Sequence, residues 1–217
     1  MTTLRLFPLS TVLFPRMTLP LQIFEERYMQ LINECIDNNE SFGVVSIKSG
    51  NEVGEVLPEI YKVGTTAKIN KTLFDRTGMI LIETIGIQRF EILDIISEEP
   101  YLTANIKLLN EIDSLDESIF LDISKAYKEF IKFSEIASGS FAIDKTIPTQ
   151  PGELADSIAV KAITFWDKKK LQKILEELDS MNRLNAVKPI MKTILSYAEK
   201  EAKEKIRKLK AESSNLN

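Results

Sequence analysis

The feature that most constrains this chain is an apolar run punctuated by prolines, residues 6–28, LFPLSTVLFPRMTLPLQIFEERY. Each proline removes a backbone donor and fixes φ, so Pro8, Pro15 and Pro20 argue against both a regular helix and a central strand. They also push the residue before each of them towards extended geometry. The run reads as short extended pieces that turn corners around the edge of a barrel. At Phe24 the period changes. Phe24, Tyr28, Leu31, Ile32, Cys35 and Ile36 follow a helical stripe, Glu25 and Glu26 sit where carboxylates favour the positive end of the helix dipole, and Asn38-Asn39 close the helix.

Beyond that helix, Phe42 to Ile47 reads as a buried strand, and Gly54 and Pro58 make residues 52–62 an irregular connection. From Thr65 the alternation is that of a half-buried strand, with Ala67, Ile69 and Leu73 on one face. Asp75-Arg76-Thr77-Gly78 supplies a hairpin loop. Met79 to Ile85 returns as a central strand, Gly86 marks a bulge, and Arg89 to Ile96 and Tyr101 to Leu109 are two further strands. Several antiparallel strands with one early helix predict a small closed or nearly closed barrel.

Acidic residues cluster around Ser114, which places a boundary between a β-barrel part, 1–113, and a helical part, 114–217. In the second part Ile119, Phe120, Ile123, Tyr127, Phe130 and Ile131 form an amphipathic stripe that Ser138-Gly139-Ser140 ends, and Ala142 to Thr149 connects onward. Pro151 suits a first helical turn and Asp167 a cap. A last long helix from about Ser180 carries the seam Leu184, Val187, Met191, Ile194 and Ala198, with a kink expected at Pro189. Its end turns polar, with interleaved lysines and glutamates, and Ser213 to Asn217 should fray.

The chain contains no histidine, which removes Ser-His-Asp, Cys-His and zinc-type chemistry. No glycine is followed by lysine, so no Walker A loop is present. Glu25-Glu26 and Glu98-Glu99 read as solvated or dipole-pairing carboxylates, and Cys35, the single cysteine, as a small core residue. Neither a cofactor nor a metal is expected. A net charge of −4 offers no general attraction to phosphate backbones or anionic membranes. With no basic-then-apolar start and no span of about 18 apolar residues, the expected location is the cytoplasm.

The opening run, FPLxxxVLFPxxxLPLxIFExRY, resembles the start of the Lon protease amino-terminal domain. Further matches follow in the family's order: Phe42-Gly43-Val44-Val45, Val63-Gly64-Thr65-Thr66-Ala67-Lys68-Ile69, Gly86-Ile87-Gln88-Arg89-Phe90, Pro100-Tyr101-Leu102 and Pro151-Gly152-Glu153-Leu154-Ala155-Asp156. The resemblance implies an α+β fold: a PUA-like β-pseudobarrel with one inserted helix, followed by a helical bundle with a long last helix. It also implies a substrate-recognition module. The family's glycine-rich surroundings for a protease serine are absent from the sequence. Arg16 stands where the family usually has glycine, which is costly if that corner needs positive φ.

The resulting expectation is a non-enzymatic module, resembling a stand-alone Lon amino-terminal domain, that binds unfolded or exposed protein segments and that a separate ATPase or protease can partner. An RNA-binding PUA-like barrel and a hydrolase with an unfamiliar site are the alternatives. Phe14, Met17 and Phe74, beside predicted corners, are the candidate peptide-binding residues, with barrel-end packing as their alternative role.

Overall fold

The computed structural model of the chain describes residues 2–54, 56–74, 79–140 and 145–214. In chain order the elements are β1 (Thr2–Leu9), β2 (Thr18–Ile23), α1 (Glu26–Asn38), β3 (Phe42–Ser49), β4 (Glu59–Phe74), β5 (Ile80–Ser97), β6 (Thr103–Leu108), α2 (Glu117–Ser138), α3 (Pro151–Lys161), α4 (Lys168–Glu176), α5 (Ser180–Ala186) and α6 (Lys188–Ser214). They form two compact units: a sheet unit, running to residue 110 and including 167–178, and a helical unit of 111–166 and the residues from 179.

The sheet runs β2-β5-β4-β3-β1-β6 and closes on itself through a β5–β6 pairing. β1 and β3 are parallel and the other pairs antiparallel. Inside the ring lie Leu4, Leu6, Val45, Phe90, Ile92, Leu102, Ala104 and Ile106. Contrary to the sequence expectation, Pro8 belongs to a strand with neighbours on both sides. β1 exchanges partners along its length, meeting β6 over Thr2–Arg5 and β3 over Leu6–Leu9. The Leu6 N–H donates to the Leu102 carbonyl at 2.8 Å. Two residues on, the Pro8 nitrogen points to that same side, past the start of β6, where no ladder bond is lost.

Two bulges account for two further differences. Ala67 faces Gly86 and Thr65 faces Arg89, so Thr66 opposes both Ile87 and Gln88. The two strands expected around Gly86 are therefore one bent strand, β5. A Cβ at Gly86 would overlap the Phe14 carbonyl oxygen, and the Gly86 backbone bonds to Met17 and Arg16. Further along β4, Ile69 faces Thr84 and Lys71 faces Glu83. The extra residue, Asn70, reverses the alternation. Leu73, predicted to share the inner face with Ala67, is 67% exposed.

In α1, Tyr28, Leu31, Ile32 and Cys35 are buried. Phe24 lies before the cap residue Glu25 and is 55% exposed, so it falls outside the buried stripe, as does Ile36. The sequence assigns everything after residue 113 to one helical half, yet α4 packs with the sheet unit. Leu171, Ile174 and Leu175 are buried, Lys168 donates to the Ile47 carbonyl at 2.7 Å and Gln172 to that of Val63 at 3.0 Å. Buried Arg89 donates in turn to the Leu175 carbonyl at 2.8 Å. Polar anchors of this kind have no sequence period, which is why composition alone misses them.

In the helical unit Asp116 caps α2 by accepting from the Ile119 N–H at 3.1 Å, and Gly139, at φ 65°, ends it. The single kinked helix expected from Ser180 is two helices, α5 and α6. Pro189 falls in the first turn of α6, where a donor is not required, so the proline separates two helices instead of bending one. Leu184, Val187, Met191, Ile194 and Ala198 are buried as expected. The loop 75–78, residues 142–144 of the predicted connector and residues 215–217 of the tail lie outside the described residues.

Candidate functional site

Phe14 is fully enclosed and Met17 is 8% exposed. The turn that joins them, closed by Met17 N–H to the Phe14 carbonyl at 3.1 Å, carries Arg16 at φ 65°. Both side chains serve the interior and offer a ligand no surface. Phe74 pairs with Ile80 at the end of β4, and its side chain lies outside the described residues.

The apolar surface gathers elsewhere in the same unit. A groove of about 710 Å³ runs along β2 and the neighbouring ends of β4 and β5, beside the start of α1. Phe24, Val53 and Leu73 stand on its rim, 55%, 56% and 67% exposed, and Leu21 and Leu81 are half-buried in its wall. Sequence reading missed these residues because two depend on irregularities. Leu73 is turned outward by the Asn70 bulge, and Val53 sits in a segment between Gly50 and Gly54, both at positive φ. Phe24 carried a readable signal, an aromatic immediately before a helix cap.

Below the rim, Phe7 stacks on Tyr28 with centroids 4.2 Å apart. The Arg27 guanidinium lies 4.7 Å from the centre of the Tyr28 ring and donates to Glu25 and to the Gly54 carbonyl, each at 2.8 Å. Burial pushes the Tyr28 phenol up, Arg27 opposes this, and the Glu25 and Glu52 carboxylates add to it. Glu52 accepts from the Ser10 N–H at 2.6 Å. On the other wall Glu83 pairs with Lys71 at 3.1 Å and accepts from Asn70 at 3.0 Å, bonds that hold its carboxyl below the usual range. The described lining residues offer apolar contact, three carboxylates and the Lys71 amine.

A second apolar groove, of about 780 Å³, lies in the helical unit along α2 and α6, with Phe165 and Tyr197 exposed on it. Cys35 is buried in α1, and burial pushes its thiol up to about 11, which keeps it protonated at neutral pH. Among the described residues no group of three or more His, Cys, Asp or Glu is placed to hold a metal ion, and no helix is long and apolar enough to cross a membrane.

A closed mixed sheet with an inserted helix and a separate unit of helices define an α+β domain, and an open apolar groove lies on its sheet unit. Its overall fold is similar to that of the N-terminal domain of Mycobacterium avium complex Lon protease (TM-score 0.66, 15% identity, 88% of this chain and 98% of that one). It is likewise similar to a Lon N-terminal domain protein from Xanthomonas campestris (TM-score 0.61, 22% identity, 86% and 97%). The chain belongs to the ATP-dependent protease La (LON) substrate-binding domain family, whose pattern matches residues 3–193. Lon protease from Desulfosudis oleivorans is 31% identical over 190 residues, 85% of this chain and 23% of that protein. Lon protease from Syntrophus aciditrophicus is 29% identical over 196 residues, 87% and 25%. The chain thus spans about a quarter of the length of these relatives.

Proposed function

We propose that the chain is a non-enzymatic recognition module that takes exposed apolar segments of other proteins into the sheet-unit groove, on behalf of an ATPase and protease. The observation that carries this reading is the trio Phe24, Val53 and Leu73, three large apolar side chains more than half exposed around one groove. Family membership supports it. So does the chemistry of the described lining, whose largely apolar side chains release water when an apolar ligand covers them.

Covering three half-exposed side chains yields roughly 1 kcal/mol each at about 25 cal/mol per Å². Against the cost of association, that predicts weak, fast-exchanging capture, suited to sampling many chains. The test is fluorescence anisotropy with a labelled unfolded protein and short apolar peptides. Wild type should saturate, and Leu73→Asp should lose about tenfold in affinity through the charge placed in the apolar contact. Wild type showing no saturation, or L73D binding equally well, refutes the proposal.

A further inference from the structure

We propose that the groove prefers extended apolar segments flanked by lysine or arginine, and that it reads them through their side chains without adding a strand to the sheet. This rests on the groove being the recognition site, and it specifies what that site accepts and how.

The mode of reading follows from the free side of β2. Among the described residues β2 pairs only with β5, so its outer edge is where an extended ligand could add a strand. Gly86 N–H donates to the Met17 carbonyl at 2.9 Å. With Thr18 facing Ile85 and Leu19 facing Thr84, that bond makes Thr18–Ile85 a non-hydrogen-bonded pair and Leu19–Thr84 a hydrogen-bonded one. The alternation then makes Pro20–Glu83 non-hydrogen-bonded, and the Pro20 nitrogen points outward. An added strand would meet donors at Thr18 and Gln22 and none at Pro20 between them. Proline on an outward position is a known way of blunting an edge, while the apolar side chains beside it remain accessible.

The preference for cations follows from the charges on the walls. Among the described residues, Glu25, Glu52 and Glu83 line the groove, with Lys71 as the lining cation. Arg27, just outside, is already engaged by Glu25, the Gly54 carbonyl and the face of Tyr28. Lys71 is drawn to Glu83. Among the described residues carboxylates therefore outnumber cations around the groove, Glu52 carries the excess, and the chain as a whole has a net charge of −4. Basic residues flanking an apolar stretch find complementary potential there, and acidic ones find repulsion.

The experiment uses the full chain and one labelled apolar core peptide flanked by lysines, serines or glutamates, titrated by anisotropy. At low salt the lysine-flanked peptide should bind about tenfold tighter than the glutamate-flanked one, with serine between, and high salt should narrow the ratio. In the double variant Glu52→Gln, Glu83→Gln, folded by circular dichroism, the ratio should fall to about twofold. N-methylating alternate backbone amides of the lysine-flanked peptide should leave its affinity within about twofold, because no ligand amide is used in a ladder. Equal or tighter binding of the glutamate-flanked peptide overturns the charge preference. A tenfold or greater loss on N-methylation overturns side-chain reading. Failure of all three peptides to bind folded protein overturns the recognition reading itself, an outcome distinct from the other two.

Discussion

The start of α3 and the rim of the groove are both built from residues that stand out, for opposite physical reasons. At α3, Gly152 is pressed against other groups so closely that a Cβ would overlap the Arg183 guanidinium and the Glu111 carboxylate. Arg183 is fully buried, pairs with the 1%-exposed Asp156 at 3.1 Å and also donates to Glu111. At the groove, Phe24, Val53 and Leu73 leave more than half of their surface in solvent. Pro151 to Asp156, one of the stretches that carry the resemblance, is thus a packing device around a buried cation. Of the three rim residues, Val53 and Leu73 lie outside the stretches that carry the resemblance, while Phe24 belongs to the opening one.

The sharpest way to break this comparison is Arg183→Leu. It strands the Asp156 carboxylate in the interior, so the helical unit should lose about 3–5 kcal/mol, read by urea unfolding. Replacing Asp156 by leucine as well should recover part of that loss, since two apolar side chains leave no buried charge behind. A single substitution costing under about 1 kcal/mol would mean that α3 is as permissive as the groove rim. At the rim the order of effects reverses. Phe24→Ser with Leu73→Ser should cut peptide affinity about tenfold while moving stability by no more than about 0.5 kcal/mol, measured by the same two methods on one preparation.

A smaller effect at the start of α5 is read by pH. Asp179 caps α5 by accepting from the Asn182 N–H and the Ser114 hydroxyl, both at 2.8 Å. These bonds, the backbone one foremost, hold its carboxyl below the usual range. A carboxyl depressed in the folded state contributes stability that is present above its unfolded value, near 4, and is lost as pH falls through the folded one. Unfolding free energy should therefore be flat from neutral pH to about 5 and decline below about 4. Asp179→Asn, which keeps a competent cap, should flatten that decline. An unchanged slope in the variant would show that the acid sensitivity arises elsewhere.

Wherever one period or one cap decided the outcome, sequence reading located the element. The α1 stripe from Tyr28 to Cys35, the Asp167 and Pro151 helix starts and the bulge at Gly86 are instances. It failed where a single inserted residue or a long-range polar bond decided the outcome. Asn70 turns Leu73 outward, and Gln172 and Lys168 tie α4 to strands more than a hundred residues earlier. The candidate site suffered most, because Phe14 and Met17 were placed by their nearness to a corner. A corner residue can face in or out, and only the partners across the fold decide which; here Gly86 draws the corner against β5 and turns both inward.

That corner also provides the finest test. Arg16 is exposed, at φ 65°, on a turn whose backbone is held by Arg16 N–H to the Gly86 carbonyl at 2.7 Å and by Gly86 N–H to Met17. A left-handed conformation costs a side-chain-bearing residue about 1–2 kcal/mol, and replacing it by glycine removes that strain. Glycine also loosens the unfolded chain, which offsets about 0.5–1 kcal/mol of the gain. Arg16→Gly should accordingly stabilise the sheet unit by up to about 1 kcal/mol, visible as a shift in urea midpoint with unchanged slope. Arg16→Ala keeps the strain and removes the guanidinium, so it separates backbone from side chain. If the glycine variant is less stable and the alanine variant equally so, the guanidinium's own contacts outweigh the strain, and the corner would then resemble the arginine-centred packing at α3 more than an open turn.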